Sequence, residues 1–467
     1  MKKVLSLLLA MTMTFGVFSG LGVSAAETEN VTEEVTKTYG LDNLNNEAGE
    51  LKIAFIGGSI TQGAGEVSNK AAERYSGKLV NDYFKAKFPN KTVTEVNAGI
   101  GGTPSEYGIF RLGKDVSAFA PDVVFVEFAV NDLNHAASTA GQLKVRSQME
   151  SIVRQLEALP KIPVIIFLYS HCENKQDYLE NSIKEHEKIA KYYGIGSVNF
   201  HEYVLSEETA GNIDWYNEEN SGSLSGDGTH PNTAGYAMYA KYIADCFEEN
   251  YTSYFKNPKI RNAQYEQSYI YANPHTVAYD DEAIEYTGTW TESPDLDYLQ
   301  DGTHDWVIYP ENLNSTFIQA QEGGETVSYT FTGRSIGIAY GRVFNGGKAT
   351  YVVDEGTDNE ITGEINCDTD AIRYYQIYTL IANDLAYGEH TIKLTNVAVD
   401  DVKTNFAFSH FLVDDQEPVI GVDDVPEYAF DYVPGEMPKN LIDNGTNRDI
   451  AAGSGEYYFG RNNGNVV

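Results

Sequence analysis

A chain of 467 residues is too long for one hydrophobic core, so two domains are expected. The formal net charge of -35 is spread along the chain rather than held in one block, which argues against nucleic acid and other strongly anionic polymers as partners and leaves solubility as the plain reading. Three cysteines, Cys172, Cys246 and Cys367, make neither a disulfide framework nor a metal-ligand spacing.

Met1-Lys2-Lys3 gives a basic start, residues 4–23 are apolar with small residues mixed in, and Val23-Ser24-Ala25 fits a small-x-small cleavage site. This is the pattern of a signal peptide over 1–25, and it implies a secreted, extracellular protein. The competing reading is an uncleaved anchor. Gly16, Gly20 and Gly22 weaken such a helix. No later stretch is long and apolar enough to span a bilayer, and no cysteine near the cleavage site offers a lipid anchor. Residues 26–47 are acidic and polar and read as a linker.

From Leu51 the texture changes. Lys52-Ile53-Ala54-Phe55-Ile56, ended by Gly57-Gly58, reads as a buried strand. Similar apolar runs are 122–130, 163–169 and 196–200, and helical patterns at about 71–88, 142–159, 175–193 and 232–249 separate them. Continuous apolar strands alternating with helices predict an α/β domain over 48–252, a parallel sheet covered by helices on both faces. Beyond Tyr254 come short alternating runs, among them 326–331, 336–340, 349–353 and 390–394, rich in Tyr, Thr, Gly and Asp. These predict an antiparallel β-sandwich over 260–415. Residues 416–467 are a C-terminal segment without an assigned role.

Four segments of the first domain carry chemistry. Gly57-Gly58-Ser59-Ile60-Thr61 follows the first strand, and Asn97-Ala98-Gly99-Ile100-Gly101-Gly102-Thr103 follows the second. Val130-Asn131-Asp132 ends the third strand, and Asp227-Gly228-Thr229-His230-Pro231 opens the last helix, with Pro231 as its expected first residue. A serine hydroxyl needs a base to take its proton, and His230 can serve. Asp227, three residues earlier, can orient the ring and stabilise the imidazolium. Ser59 stands at the C-terminal end of a strand, where open α/β sheets bind ligands.

In these blocks the chain resembles the SGNH (GDSL-like) hydrolase superfamily, whose four blocks carry Ser, Gly, Asn and His in this order. The resemblance covers about 200 residues. It implies a flavodoxin-like three-layer α/β/α sandwich and a Ser59–His230–Asp227 triad. It also implies an oxyanion hole from the Ser59 and Gly102 backbone N–H groups and the Asn131 side chain. The sequence departs from the family pattern in Gly57-Gly58-Ser59-Ile60, where Gly-Asp-Ser-Leu is usual, and at Ala129, where glycine is usual. Neither change touches a residue that does chemistry.

Other features have plainer readings. Asp301-Gly302-Thr303-His304 repeats the triad tetrapeptide but is followed by Asp305-Trp306 rather than by proline and a helix. Glu127, in an apolar strand, must be hydrogen-bonded or neutral, either tied to a neighbouring loop or supporting Asn131. His171, at the end of the third apolar run, reads as structural or exposed, the alternative being that it looks into the cleft, and His135, His186 and His201 show no ligand spacing, so no metal is assigned. Gly63-x-Gly65 is too short for a nucleotide loop, so no cofactor is expected. The expected activity is a secreted carboxylic-ester hydrolase with acetylated polysaccharide or a small ester as substrate, acting by deacetylation through an acyl-enzyme. The alternatives are a lipase or arylesterase, or a non-catalytic carbohydrate-binding surface protein. Tyr265, Tyr269, Tyr271, Trp290 and Trp306 are candidates for stacking on sugar, or for packing the sandwich's own core.

Overall fold

A computed structural model describes residues 37–68, 70–174, 176–217, 219–266, 271–293, 317–342, 346–368, 375–400 and 405–417. The expected leader, the second Asp-Gly-Thr-His copy, Tyr269, Trp306 and nearly all of 416–467 lie outside these residues.

Five strands form one parallel sheet: β1 (Gly49–Gly57), β2 (Lys91–Gly99), β3 (Val123–Glu127), β4 (Val164–Tyr169) and β5 (Gly196–Asn199). Their spatial order is β2-β1-β3-β4-β5. β3 and β4 are buried along their whole length, as expected of a sheet covered on both faces. The covering helices are α1 (75–87), α2 (Ser105–Asp115), α3 (Thr139–Ala158), α4 (Gln176–Tyr193), α5 (Phe200–Thr209) and α6 (Thr233–Glu249). Phe55 stacks on Phe125 at 4.9 Å between centroids, and Phe84 and Phe247 close over Phe125, fixing α1 and α6 to one face of the sheet.

Three local details differ from the sequence expectation. The helix expected at 71–88 is composite: a 3-10 turn at Ala71–Glu73, then α1, which includes a π turn at Leu79–Phe84. The strand expected through Val130 stops at Glu127, and Ala129–Asp132 is a helical turn. Ala129 and Val130 are buried there just as a strand would bury them, so the apolar run does not register the change. Pro231 is not the first residue of α6. Asn232 caps that helix, its side chain accepting from the Gly235 N–H, so proline sits before the cap.

Beyond Tyr254 the strands are β6 (Pro274–Ala278), β7 (Ile284–Thr287), β8 (Thr291–Ser293), β9 (Phe317–Ala320), β10 (Thr326–Gly333) and β11 (Ser335–Arg342). β12 (Lys348–Val353), β13 (Ile361–Asn366), β14 (Tyr375–Ala382), β15 (Gly388–Val397) and β16 (Phe406–Asp414) complete them. They make two antiparallel sheets: β8-β9-β16-β11-β14 with β6 also on β16, and β13-β12-β15-β10-β7. Val327 and Phe331 of one sheet and Ile336, Ile338, Phe411 and Val413 of the other share a core.

The first of these sheets is covered on its outer face as well. Alternation along β16 sends Phe411 and Val413 into the sandwich, while Leu412 joins the core of the parallel-sheet domain together with Ala339 of β11. The partner is α2. Tyr107 stacks on Tyr378 with centroids 4.8 Å apart and meets His410 Nε2 through its hydroxyl at 3.1 Å. Below it Arg146 pairs with Glu266, and Glu150 accepts from the Tyr265 and Glu266 N–H groups. Tyr265 packs against Tyr192, Tyr271 meets Phe110 edge-on, and Trp290 packs against Tyr286 and Phe406. The described stacking candidates thus all pack on neighbouring aromatic rings, with Tyr271 and Trp290 remaining partly exposed.

Candidate active site

The order β2-β1-β3 places the topological switch point between β1 and β3, where chain direction away from the sheet reverses and a crevice opens at the strand ends. Ser59 follows β1 as the first residue of the helical turn Ser59–Gln62. Asn131 follows β3 in the turn Ala129–Asp132. Both thus face the same crevice mouth. Gly58 lies between them, and a Cβ there would collide with Asn131 Oδ1. Glycine at 58 lets the Asn131 amide approach the backbone just before Ser59. The turn after β2 runs alongside: a Cβ added at Gly101 would lie 3.6 Å from Ser59 Cβ, and Gly102 has φ +74, with open space before it.

His230 reaches this point from the loop before α6. Its Nε2 is 2.8 Å from Ser59 Oγ, and its Nδ1 is 2.6 Å from Asp227 Oδ2. Asp227 Oδ1 accepts from the backbone N–H groups of His230 at 2.7 Å and Thr229 at 2.9 Å. Burial alone would raise this carboxyl. The hydrogen bonds from the His230 ring and from the two N–H groups outweigh it and hold the group well below the usual carboxylate range. An ionised Asp227 fixes the proton on Nδ1 and leaves the Nε2 lone pair for the serine hydroxyl. The structure therefore brings Ser59, His230 and Asp227 into one hydrogen-bonded chain, with Asn131 and the Gly101-Gly102 turn beside it.

The loop is held by residues that sequence patterns do not single out. Gly228, at φ +81, presents its carbonyl to the Trp215 indole N–H at 3.1 Å and to the Glu173 N–H at 2.8 Å. Ser225 Oγ donates to the His230 carbonyl at 2.8 Å. Arg111, buried on α2, donates to the Gly57 and Ala98 carbonyls and so ties the ends of β1 and β2 together. Asp132 accepts from the Ser105 N–H at the start of α2 and meets His186 Nε2 at 2.9 Å. None of these contacts has a local sequence signal, except that Asp132 stands next to Asn131.

Glu127 is fully buried beneath the turn that carries Ser59. It accepts from Ser170 Oγ at 2.6 Å and from Thr61 Oγ1 at 3.0 Å, so it ties to neighbouring loops. Burial pushes its carboxyl up from 4.5 to about 7, against the hydrogen bonds from Ser170 and Thr61 and with the nearby Asp132 adding to the rise. A folded value above the unfolded one means that the stability this group contributes is full below about 4.5 and is lost as the pH climbs through about 7. Glu127→Gln keeps an acceptor and removes the titration. Its stability relative to wild type is expected to improve between pH 4.5 and about 7 and to level off above that, by up to about 3 kcal/mol in unfolding free energy, read from melting curves across the range. Parallel pH curves for the two proteins would reject this. His171, expected to be structural or exposed, is buried, with Nδ1 2.8 Å from His201 Nδ1.

Residues 55–238 match the model of the GDSL-like Lipase/Acylhydrolase family. The chain is 25% identical over 222 residues to an acetylxylan esterase of Xylanibacter ruminicola, a match covering 42% of this chain and 42% of that relative. Among solved structures, a two-domain esterase (CEX) active on acetylated mannans, co-crystallised with mannopentaose, aligns with a TM-score of 0.62 at 21% identity, covering 82% of this chain and 97% of that one. A second structure of the two-domain esterase aligns with a TM-score of 0.62 at 22% identity, covering 81% and 96%. At this identity the likeness establishes a shared two-domain fold.

Proposed function

We propose that this chain, which carries a GDSL-like lipase/acylhydrolase domain over residues 55–238, is a secreted serine esterase that removes O-acetyl groups from polysaccharide. The observation that carries the reading is the Asp227–His230–Ser59 chain of hydrogen bonds at the sheet's switch point. Ser59 Oγ attacks the acetyl carbonyl while His230 Nε2 takes its proton. The developing oxyanion meets the Ser59 and Gly102 N–H groups and the Asn131 amide. The imidazolium, held by ionised Asp227, returns the proton to the departing sugar hydroxyl. Water then repeats the sequence on the acetyl-enzyme, releasing acetate.

Substrate class rests on two supports. The Xylanibacter ruminicola relative is an acetylxylan esterase, and the two-domain fold neighbour acts on acetylated mannans. A small acyl group also suits the site, because the glycine turn 101–102 and the Asn131 side chain close in beside Ser59. Secretion is proposed from the N-terminal pattern of basic start, apolar stretch and small-residue cleavage site.

The test is acetate release from acetylated xylan and acetylated mannan, with Ser59→Ala as control, and rates on 4-nitrophenyl esters of increasing chain length. Acetyl is expected to be the best acyl group, with a fall of at least tenfold by eight carbons. A maximum at eight carbons or more, with no acetate from either polymer, would favour a lipase and reject the proposal.

A further inference from the structure

One cluster of metal-type ligands stands outside the triad. His171 lies just after β4, Glu173 two residues later, and Glu208 near the end of α5. One ligand atom from each lies within 4.8 Å of the others. Sequence spacing gives no hint, because the third ligand arrives from another element.

The surroundings favour a cation. Among the described residues neither Glu173 nor Glu208 has a lysine or arginine partner. His171 is buried and His201 beside it is buried as well, with His201 Nε2 lacking any hydrogen-bond partner. The two rings meet Nδ1 to Nδ1 at 2.8 Å, so one must donate and the other accept. If His171 donates, its Nε2 presents a lone pair 3.1 Å from a Glu173 carboxylate oxygen. A cation shared by that lone pair and the carboxylate would fix this tautomer, whereas in the opposite one the His171 Nε2–H donates to Glu173. A histidine that binds a metal through one nitrogen and donates from the other is the usual arrangement at such centres.

We propose that His171, Glu173 and Glu208 bind one divalent first-row transition-metal ion of the Zn2+ or Mn2+ kind, with His201 orienting the His171 ring. One imidazole and two carboxylates suit these ions better than Ca2+ or Mg2+, which prefer all-oxygen shells. Ligand bonds of about 2.0–2.2 Å are reached by small side-chain rotations within a triangle of this size. The role is structural. The Glu173 N–H and the Trp215 indole both hold the Gly228 carbonyl, and Glu208 accepts from the Trp215 N–H at 2.9 Å. A metal joining Glu173 to Glu208 therefore clamps the loop that carries Asp227 and His230.

The experiment uses the whole chain, stripped with a chelator, incubated with ZnCl2 or MnCl2 and desalted. About one equivalent of metal per chain is expected by elemental analysis, with a rise in melting temperature of about 4 °C at hundredfold excess over Kd. Glu173→Gln and Glu208→Gln are each expected to weaken Kd at least tenfold. The amide oxygen that Glu208→Gln leaves in place still accepts from the Trp215 N–H, so folding is preserved. With Co2+ the wild type should show visible d–d bands without a thiolate charge-transfer band. A thiolate band would place the metal on Cys172 and overturn the proposal. So would retention below about 0.2 equivalent of either ion, or unchanged binding in the two variants. Should a variant fail to fold, the wild-type stoichiometry and Co2+ spectrum decide alone.

Discussion

His230→Ala is expected to lower kcat/KM on 4-nitrophenyl acetate by four to six orders of magnitude, about 5 to 8 kcal/mol of transition-state stabilisation. His230 Nε2 sits 2.8 Å from Ser59 Oγ and no other described histidine is hydrogen-bonded to that hydroxyl. Ser59→Ala should be as damaging, and the double variant scarcely worse, because the two act as one unit. Asn131→Ala removes one of the three proposed oxyanion donors and should cost about a hundred- to thousandfold, mostly in kcat. His304→Ala, in the second Asp-Gly-Thr-His copy, should leave the rate within about threefold, less than 1 kcal/mol. Each variant needs a melting curve matching wild type before its rate is read. A dead His304→Ala beside an active His230→Ala would reject the assignment of the base.

The legibility of this site in the sequence follows from distance along the chain. Asp227 and His230 are three residues apart in one loop, so their partnership can be read locally. Ser59 and Asn131 can be aligned because short buried strands ended by Gly or Asn mark the C-terminal edge of a parallel sheet. Asn131 nonetheless sits in a different element from the one its pattern suggests. The run 122–130 stays apolar while the backbone turns from strand to helix after Glu127, and burial in both states leaves no period to distinguish them. Arg111 and Trp215 are invisible for a different reason. Their partners are backbone carbonyls at Gly57, Ala98 and Gly228, and a carbonyl carries no residue identity. Alternation predicts the antiparallel strands beyond Tyr254 well. It does not foretell β16, which is buried at all nine positions because its outer face packs on α2.

That outer face leads to the second large effect. Ending the chain at residue 255 is expected to abolish small-ester turnover together with the fold, rather than to spare it. The truncation uncovers Tyr107 and Phe110 on α2, which otherwise pack on Tyr378 and Tyr271. It also strips Glu266 from buried Arg146 and removes the two N–H groups that satisfy buried Glu150. Arg146 keeps Glu185 and Glu150 keeps the Tyr193 hydroxyl, but each loses part of a buried network, a loss of about 1–3 kcal/mol each against a total stability of the order of 5–15 kcal/mol. The damage reaches the site directly. α2 begins at Ser105, two residues after Thr103, and its Arg111 ties the ends of β1 and β2. A loosened α2 therefore releases the Gly101-Gly102 turn beside Ser59. Soluble yield, melting temperature and 4-nitrophenyl acetate turnover of the truncated chain are the measurements. The point variant Leu412→Ala, at the centre of the same contact, should lower stability by about 2–5 kcal/mol while the folded fraction keeps its rate. A truncated chain that melts within a few degrees of the full one and hydrolyses the small ester at the same rate would show that the parallel-sheet domain needs no support from the β-sandwich.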